Sequence, residues 1–89
     1  MCRNIKTLFN FETPATDEEI HDAALQFVRK LSGFNKPGKN NEAAFNHAVE
    51  AITMISRNLL DSLETTAPPK NRAEEIAKAR ARNLKRFAK

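Results

Sequence analysis

The sequence predicts an all-α protein: a small helical bundle of two long antiparallel helices, a basic C-terminal helix beside them, and a short N-terminal arm or helix. Three observations predict it. Apolar residues recur at helical spacing over three stretches, and a capping residue precedes each: Thr16, Asn40 or Asn41, and Asn71. The breakers Gly33, Pro37, Gly38, Pro68 and Pro69 fall between these stretches and not inside them. With 89 residues the chain is expected to be one domain, 1–89, with room for a single modest core.

The opening segment, 1–13, fits two patterns. Ile5, Thr7, Phe9 and Phe11 alternate as a strand does, whereas Cys2, Ile5, Leu8 and Phe9 share a helical face. A lone strand in a helical chain lacks a ladder partner, so a short helix or an extended arm laid on the core is expected. Residues 16–32 read as a helix. Thr16-Asp17-Glu18-Glu19 is a capping-box pattern, Pro14 precedes it, and three acids in the first turn suit the dipole. Ile20, Ala23, Ala24, Phe27, Val28 and Leu31 share the inner face, and Gly33 is a left-handed stop with Phe34 placed for the contact that follows. Leu25 points away from that face, where Leu8, Phe9 or Phe11 of the arm is expected to cover it.

The stretch 41–63 is the central helix, capped by Asn40 or Asn41. At about 100° per residue, Phe45, Ala48, Val49, Ile52, Ser56, Leu59, Leu60 and Leu63 share a face, and Ala44, Ala51 and Ile55 widen it to one side. That face covers about half the cylinder, enough to seat two partner helices side by side. Both Phe45 and Leu59 are expected to be buried. His47, Glu50, Met54, Arg57 and Asp61 form the solvated outer face. After Thr65 to Pro69, the last helix is expected over 71–88, with Glu74 completing a second capping pattern. Its stripe of Ala73, Ile76, Ala77, Leu84 and Phe87 is narrow and should dock it weakly to the body. Arg80, in mid-stripe, is expected to meet a carboxylate such as Glu50, Asp61 or Glu64 across the helix interface.

Charge is unevenly placed. From Lys70 onward eight Lys or Arg stand against Glu74 and Glu75, a net +6, while residues 1–69 carry seven positive and nine negative groups, a net −2. Lys78, Arg82, Lys85 and Lys89 line up opposite the apolar stripe, with Glu74 positioned four residues before Lys78 as an ion-pair partner. No stretch approaches the roughly 18 apolar residues of a membrane span, and the N-terminus lacks the long apolar run of a signal peptide. One cysteine cannot form an internal disulfide. A cytoplasmic chain is therefore expected.

Met1-Cys2-Arg3-Asn4-Ile5-Lys6, Pro14-Ala15-Thr16, Ser32-Gly33-Phe34 and Leu63-Glu64-Thr65-Thr66-Ala67-Pro68-Pro69 resemble the small bacterial proteins of domain of unknown function 2277. The resemblance covers nearly the whole chain and implies a compact helical bacterial protein. It implies no activity, so no functional residue is carried over. Thr13 stands where that family's pattern has a second proline before Pro14.

No catalytic motif, metal-ligand spacing or phosphate loop is present, and no cofactor is expected. Cys2 is the one candidate nucleophile: removal of Met1 would leave an amine beside a thiol that Arg3 and Lys6 favour as thiolate, yet cysteine also serves as a small apolar anchor. His21 and His47 lie on different helices, off the apolar faces, and read as surface histidines. Asp17, Glu18, Glu19 and Asp22 could be taken for a metal or general-base cluster, but helix starts favour acids without one. The expected function is a non-catalytic binding module whose ridge of Lys78, Arg82, Lys85 and Lys89 engages an acidic partner, nucleic acid or an acidic protein surface. The alternatives are a thiol-dependent or redox-responsive protein using Cys2, and a structural homo-oligomer in which the ridge meets Asp17 to Asp22 of a neighbour.

Overall fold

The structure is a computed structural model and describes residues 5–87, with side chains through Leu84. It is all-helical, with no strand among the described residues: α1 spans Asp17–Ser32, α2 Glu42–Ser62 and α3 Arg72–Phe87.

Helix α1 forms as its sequence dictates. The Thr16 hydroxyl accepts from the Glu19 N–H at 3.1 Å, and the Glu19 carboxylate accepts from the Thr16 N–H at 3.0 Å, closing the capping box. Gly33 ends the helix at φ 78°, its N–H donating to the Arg29 carbonyl at 2.9 Å. That left-handed backbone is strained for any residue with a Cβ. The start of α2 differs from expectation, because Asn41 makes no side-chain cap. Its backbone is already near-helical at φ −112°, ψ −2°, and it donates instead to the Gly38 carbonyl at 3.0 Å. A capping side chain needs the extended backbone that Thr16 has and Asn41 lacks.

Among the described residues only α1 and α2 pack along one another. Ala24 and Val28 of α1 meet Phe45 and Val49 of α2, flanked by Leu25, Ala48 and Ile52. Ile20 is the most deeply buried side chain, and Ala15, just ahead of the Thr16 cap, is buried too. Several expected placements change. Leu25, expected off the inner face, packs at the edge of the helix–helix core. Phe27 and Leu31, expected on the inner face of α1, are exposed, and so is Leu59, because α1 takes one of the two seats on the wide α2 face and no described helix takes the other. Arg57 leaves the solvated outer face, as the next subsection describes. Met54 is exposed, as its position on that face predicts.

The chain is less compact than the family resemblance implies. Its radius of gyration is 15.9 Å with extents of 45 × 37 × 17 Å, against about 12 Å for a compact domain of this length. The reason is α3, which lies along neither of the other helices.

Truncating the core should be costly and truncating the outer face should not. Phe45→Ala is expected to lose about 3–5 kcal/mol, and Met54→Ala less than about 1 kcal/mol. Thermal melts followed by circular dichroism check both; equal losses would mean that α2 is rotated differently.

Candidate interface on the basic helix

The placement of α3 begins with the arm. Residues 5–12 are not helical, and the extended reading finds a single ladder partner: Phe11 pairs with Lys70 in a parallel bridge. The Lys70 N–H donates to the Asn10 carbonyl at 2.7 Å and the Glu12 N–H to the Lys70 carbonyl at 3.0 Å. Asn10 adopts φ 63°, a left-handed conformation that asparagine tolerates better than most residues. Its side-chain amide donates to the carbonyls of Pro68 at 3.2 Å and Ala67 at 3.4 Å, so the arm clasps the proline segment just before α3. Two cations close over the Phe11 ring, Lys70 Nζ at 5.6 Å and Arg72 Cζ at 5.1 Å from its centre.

Asn71 caps α3, its side chain accepting from the Glu74 N–H at 3.1 Å. Arg72, the first residue of the helix, reaches the start of α1. It donates to Glu19 through Nη1 at 2.5 Å and Nη2 at 3.2 Å, and to the Thr13 carbonyl at 3.3 Å. This forked geometry matches a carboxylate, which a lysine in its place would not reproduce. The Arg72 hydrogen bonds, followed by the Thr16 N–H, hold the Glu19 carboxyl below its ordinary range. Arg57 does the corresponding work for α2. It donates to Asp17 at 2.6 and 3.0 Å and to the Ala15 carbonyl at 3.0 Å, with Asp61 at 3.5 Å. The Asp17 carboxylate raises the Arg57 pKa further, so this guanidinium keeps its charge at any working pH.

The acids at the start of α1 therefore divide. Asp17 and Glu19 bind the arginines of α2 and α3, while Glu18 and Asp22 are exposed. Among the described residues no group of three or more His, Cys, Asp or Glu converges as a metal would require. His21 and His47 are exposed, and His21 comes no closer than 4.0 Å to Asp22. Cys2 lies outside the described residues.

Along α3 the ridge faces solvent where it is described. Lys78 and Arg82 are exposed, whereas the side chain of Lys85 and all of Lys89 lie outside the described residues. Lys78 pairs with Glu75 at 3.4 Å and not with Glu74, so three-residue spacing displaces the four-residue spacing expected. Arg80 meets no carboxylate among the described residues, because the helix interface that was to supply one does not form. The apolar stripe does not dock either. Arg72, Glu75 and Ala79 are the partly buried positions of α3, while Ile76 and Leu84 are exposed. What anchors α3 is its polar first turn, which no hydrophobic pattern reveals; the signal was two arginines, Arg57 and Arg72, with acids at the opposite helix start.

The model of one family, described as an uncharacterized conserved protein (DUF2277), matches residues 1–78. The chain belongs to that family. For the DUF2277 protein described here the match takes in the arm, α1, α2 and the first turns of α3, with Phe11, Glu19, Arg57 and Arg72. It ends at Lys78, so Arg82, Lys85 and Lys89 lie beyond it. No curated protein and no solved structure matches the chain. No described helix is long and apolar enough to cross a membrane.

The junction should be sensitive to acid. Glu19 has its pKa lowered by folding, so its contribution is present above the unfolded value and is lost as pH falls through the folded one. The protection factors of the Lys70 and Glu12 amides, each taken against the unfolded chain at the same pH, should therefore fall on acidification before those of Val28 or Val49 do. Glu19→Gln, which can still complete the capping box, should give fast Lys70 exchange at neutral pH and remove the acid step.

Proposed function

We propose that this DUF2277 protein is a non-catalytic helical binding module of the bacterial cytoplasm whose basic α3 tracks the phosphate backbone of nucleic acid. Its rigid part is an antiparallel pair, α1 and α2, joined at the first turn of α1 to the arm and α3. The observation that carries the reading is the isolation of α3, which lies along no other helix and keeps Lys78 and Arg82 open to solvent. The +6 of residues 70–89, set against −2 in the rest, concentrates attraction on one arm of the molecule.

The chemistry of the ridge favours backbone over bases. Lysine and arginine on one helix face offer point charges to successive phosphates. The ridge of Lys78, Arg82, Lys85 and Lys89 includes no aromatic side chain to stack on unpaired bases, so single strands gain little over duplexes there. Phosphate contacts position a protein without reading sequence, so the binding is expected to be general. An acidic protein surface is the other occupant that this charge distribution suits.

Fluorescence anisotropy with duplex DNA and structured RNA tests the reading. If Lys78, Arg82, Lys85 and Lys89 each neutralise a phosphate, the log–log salt slope is about 3.6, roughly a hundredfold loss of affinity between about 50 and 200 mM salt. Replacing all four by Glu should abolish binding with helical content nearly unchanged. Absence of binding at the lower salt would exclude nucleic acid and leave the acidic protein surface. Binding that persists in the fourfold variant would move the contact elsewhere, to Lys6, Arg29 and Lys30 among the described basic residues.

A further inference from the structure

Among the described residues nothing covers two apolar stripes. On α2, Ile55 is 67% exposed, Leu59 55%, and Leu63, just past its end, 43%; on α3, Ile76 is 53% and Leu84 70% exposed. The first set borders the α1 seat on the wide α2 face and forms the second, empty seat. We infer that two copies of this chain form a reciprocal dimer in which the Ile76–Leu84 stripe of each α3 occupies the empty seat on α2 of the other. The inference does not depend on what the basic ridge binds.

Four features of the molecule name the occupant. The first is area. The accessible surface is 7526 Å², about 2,300 Å² more than a compact monomer of this mass exposes. An obligate dimer buries roughly 2,000–5,000 Å² in total. Two chains with this excess therefore carry ample surface for such an interface. The second is length. Ile55 to Leu63 and Ile76 to Leu84 each step across eight residues, a rise of about 12 Å, so the stripes match end to end.

The third is charge. Residues 70–89 carry +6 and residues 1–69 carry −2, so a reciprocal exchange sets each basic helix against an acidic body. Arg80, in the middle of the stripe and without a carboxylate of its own chain among the described residues, would face that body, where Glu64 directly follows the α2 seat. The fourth is the tether. Arg72 is forked onto Glu19, and the side of α3 turned inward carries Arg72, Glu75 and Ala79. The chain's own α3 would have to break that fork to bring Ile76 and Leu84 onto its own α2. In the dimer the ridge, opposite the stripe, still faces outward.

Light scattering after gel filtration, with small-angle X-ray scattering of the same peak, reads the outcome for the full chain. The wild type is expected at twice its 10.0 kDa mass. Leu59→Glu and Leu84→Lys alter exposed positions, and each alone should weaken the dimer by more than about tenfold while circular dichroism shows unchanged helix. Mixing the two variants should restore a heterodimer, since the new charges then oppose each other at one seat and the other seat is unaltered. A wild-type monomer overturns the inference, whether its radius of gyration is near 16 Å or has fallen to about 12 Å as α3 folds onto its own chain. So does a dimer that both variants leave intact, or a mixture that stays monomeric.

Discussion

Everything in this fold converges on the first turn of α1. A helix start presents N–H groups without partners and half a positive charge, and acids gather there for that reason alone. Here two of those acids also receive guanidinium groups from elsewhere in the chain. Glu19 closes the capping box with Thr16 and then accepts the fork of Arg72 from α3. Asp17 accepts Arg57 from α2, which also donates to the Ala15 carbonyl. Exposed ion pairs contribute little individually, typically below about 1 kcal/mol. The geometry of this turn nevertheless decides where α2 and α3 can go, because a forked arginine permits few arrangements.

The remaining architecture divides between apolar and polar fastening. The α1–α2 pair is held by Ala24, Val28, Phe45 and Val49, a core of side chains removed from water. The α3 attachment is polar and local: the arm's bridge to Lys70, the Asn10 clasp on Ala67 and Pro68, and the two cations over Phe11. An attachment without much apolar burial opens at lower free energy than a packed core. It therefore suits an element whose partner lies outside its own chain, and both the charged ridge and the Ile76–Leu84 stripe are free to meet one.

The chain's own order helps to explain why the arm sits where it does. Its alternation of Ile5, Thr7, Phe9 and Phe11 is a strand pattern, yet no sheet forms among the described residues. One bridge to the segment after the prolines satisfies Phe11 and its neighbours, and no further bridge forms among the described residues of the arm. Pro68 and Pro69 matter here because they cannot continue a helix and have no N–H to offer. They leave Lys70 as the first residue after the connection able to donate to Asn10.

Sequence by itself determined the three helices, to within a residue at each end, since their limits rest on local chemistry: the Thr16 capping box, the left-handed Gly33, the Asn71 cap and the prolines between. It also determined that Phe45 and Val49 face inward, because a 3.6-residue period leaves no other face as apolar. What the tertiary structure decided was which apolar surfaces are used. A periodic pattern states that a face is apolar and not that anything covers it, so Leu31 and Leu59 read as inner-face residues and Ile76 and Leu84 as a weakly docking stripe, and all four are exposed. Polar pairings between distant segments were equally hidden. Arg57 read as a solvated helix residue and Glu19 as a capping-box acid until the fold brought Asp17, 40 positions away, to the one and Arg72, 53 positions away, to the other. Side-chain charge shows that such a pairing can be made, and only the path of the backbone selects its partner.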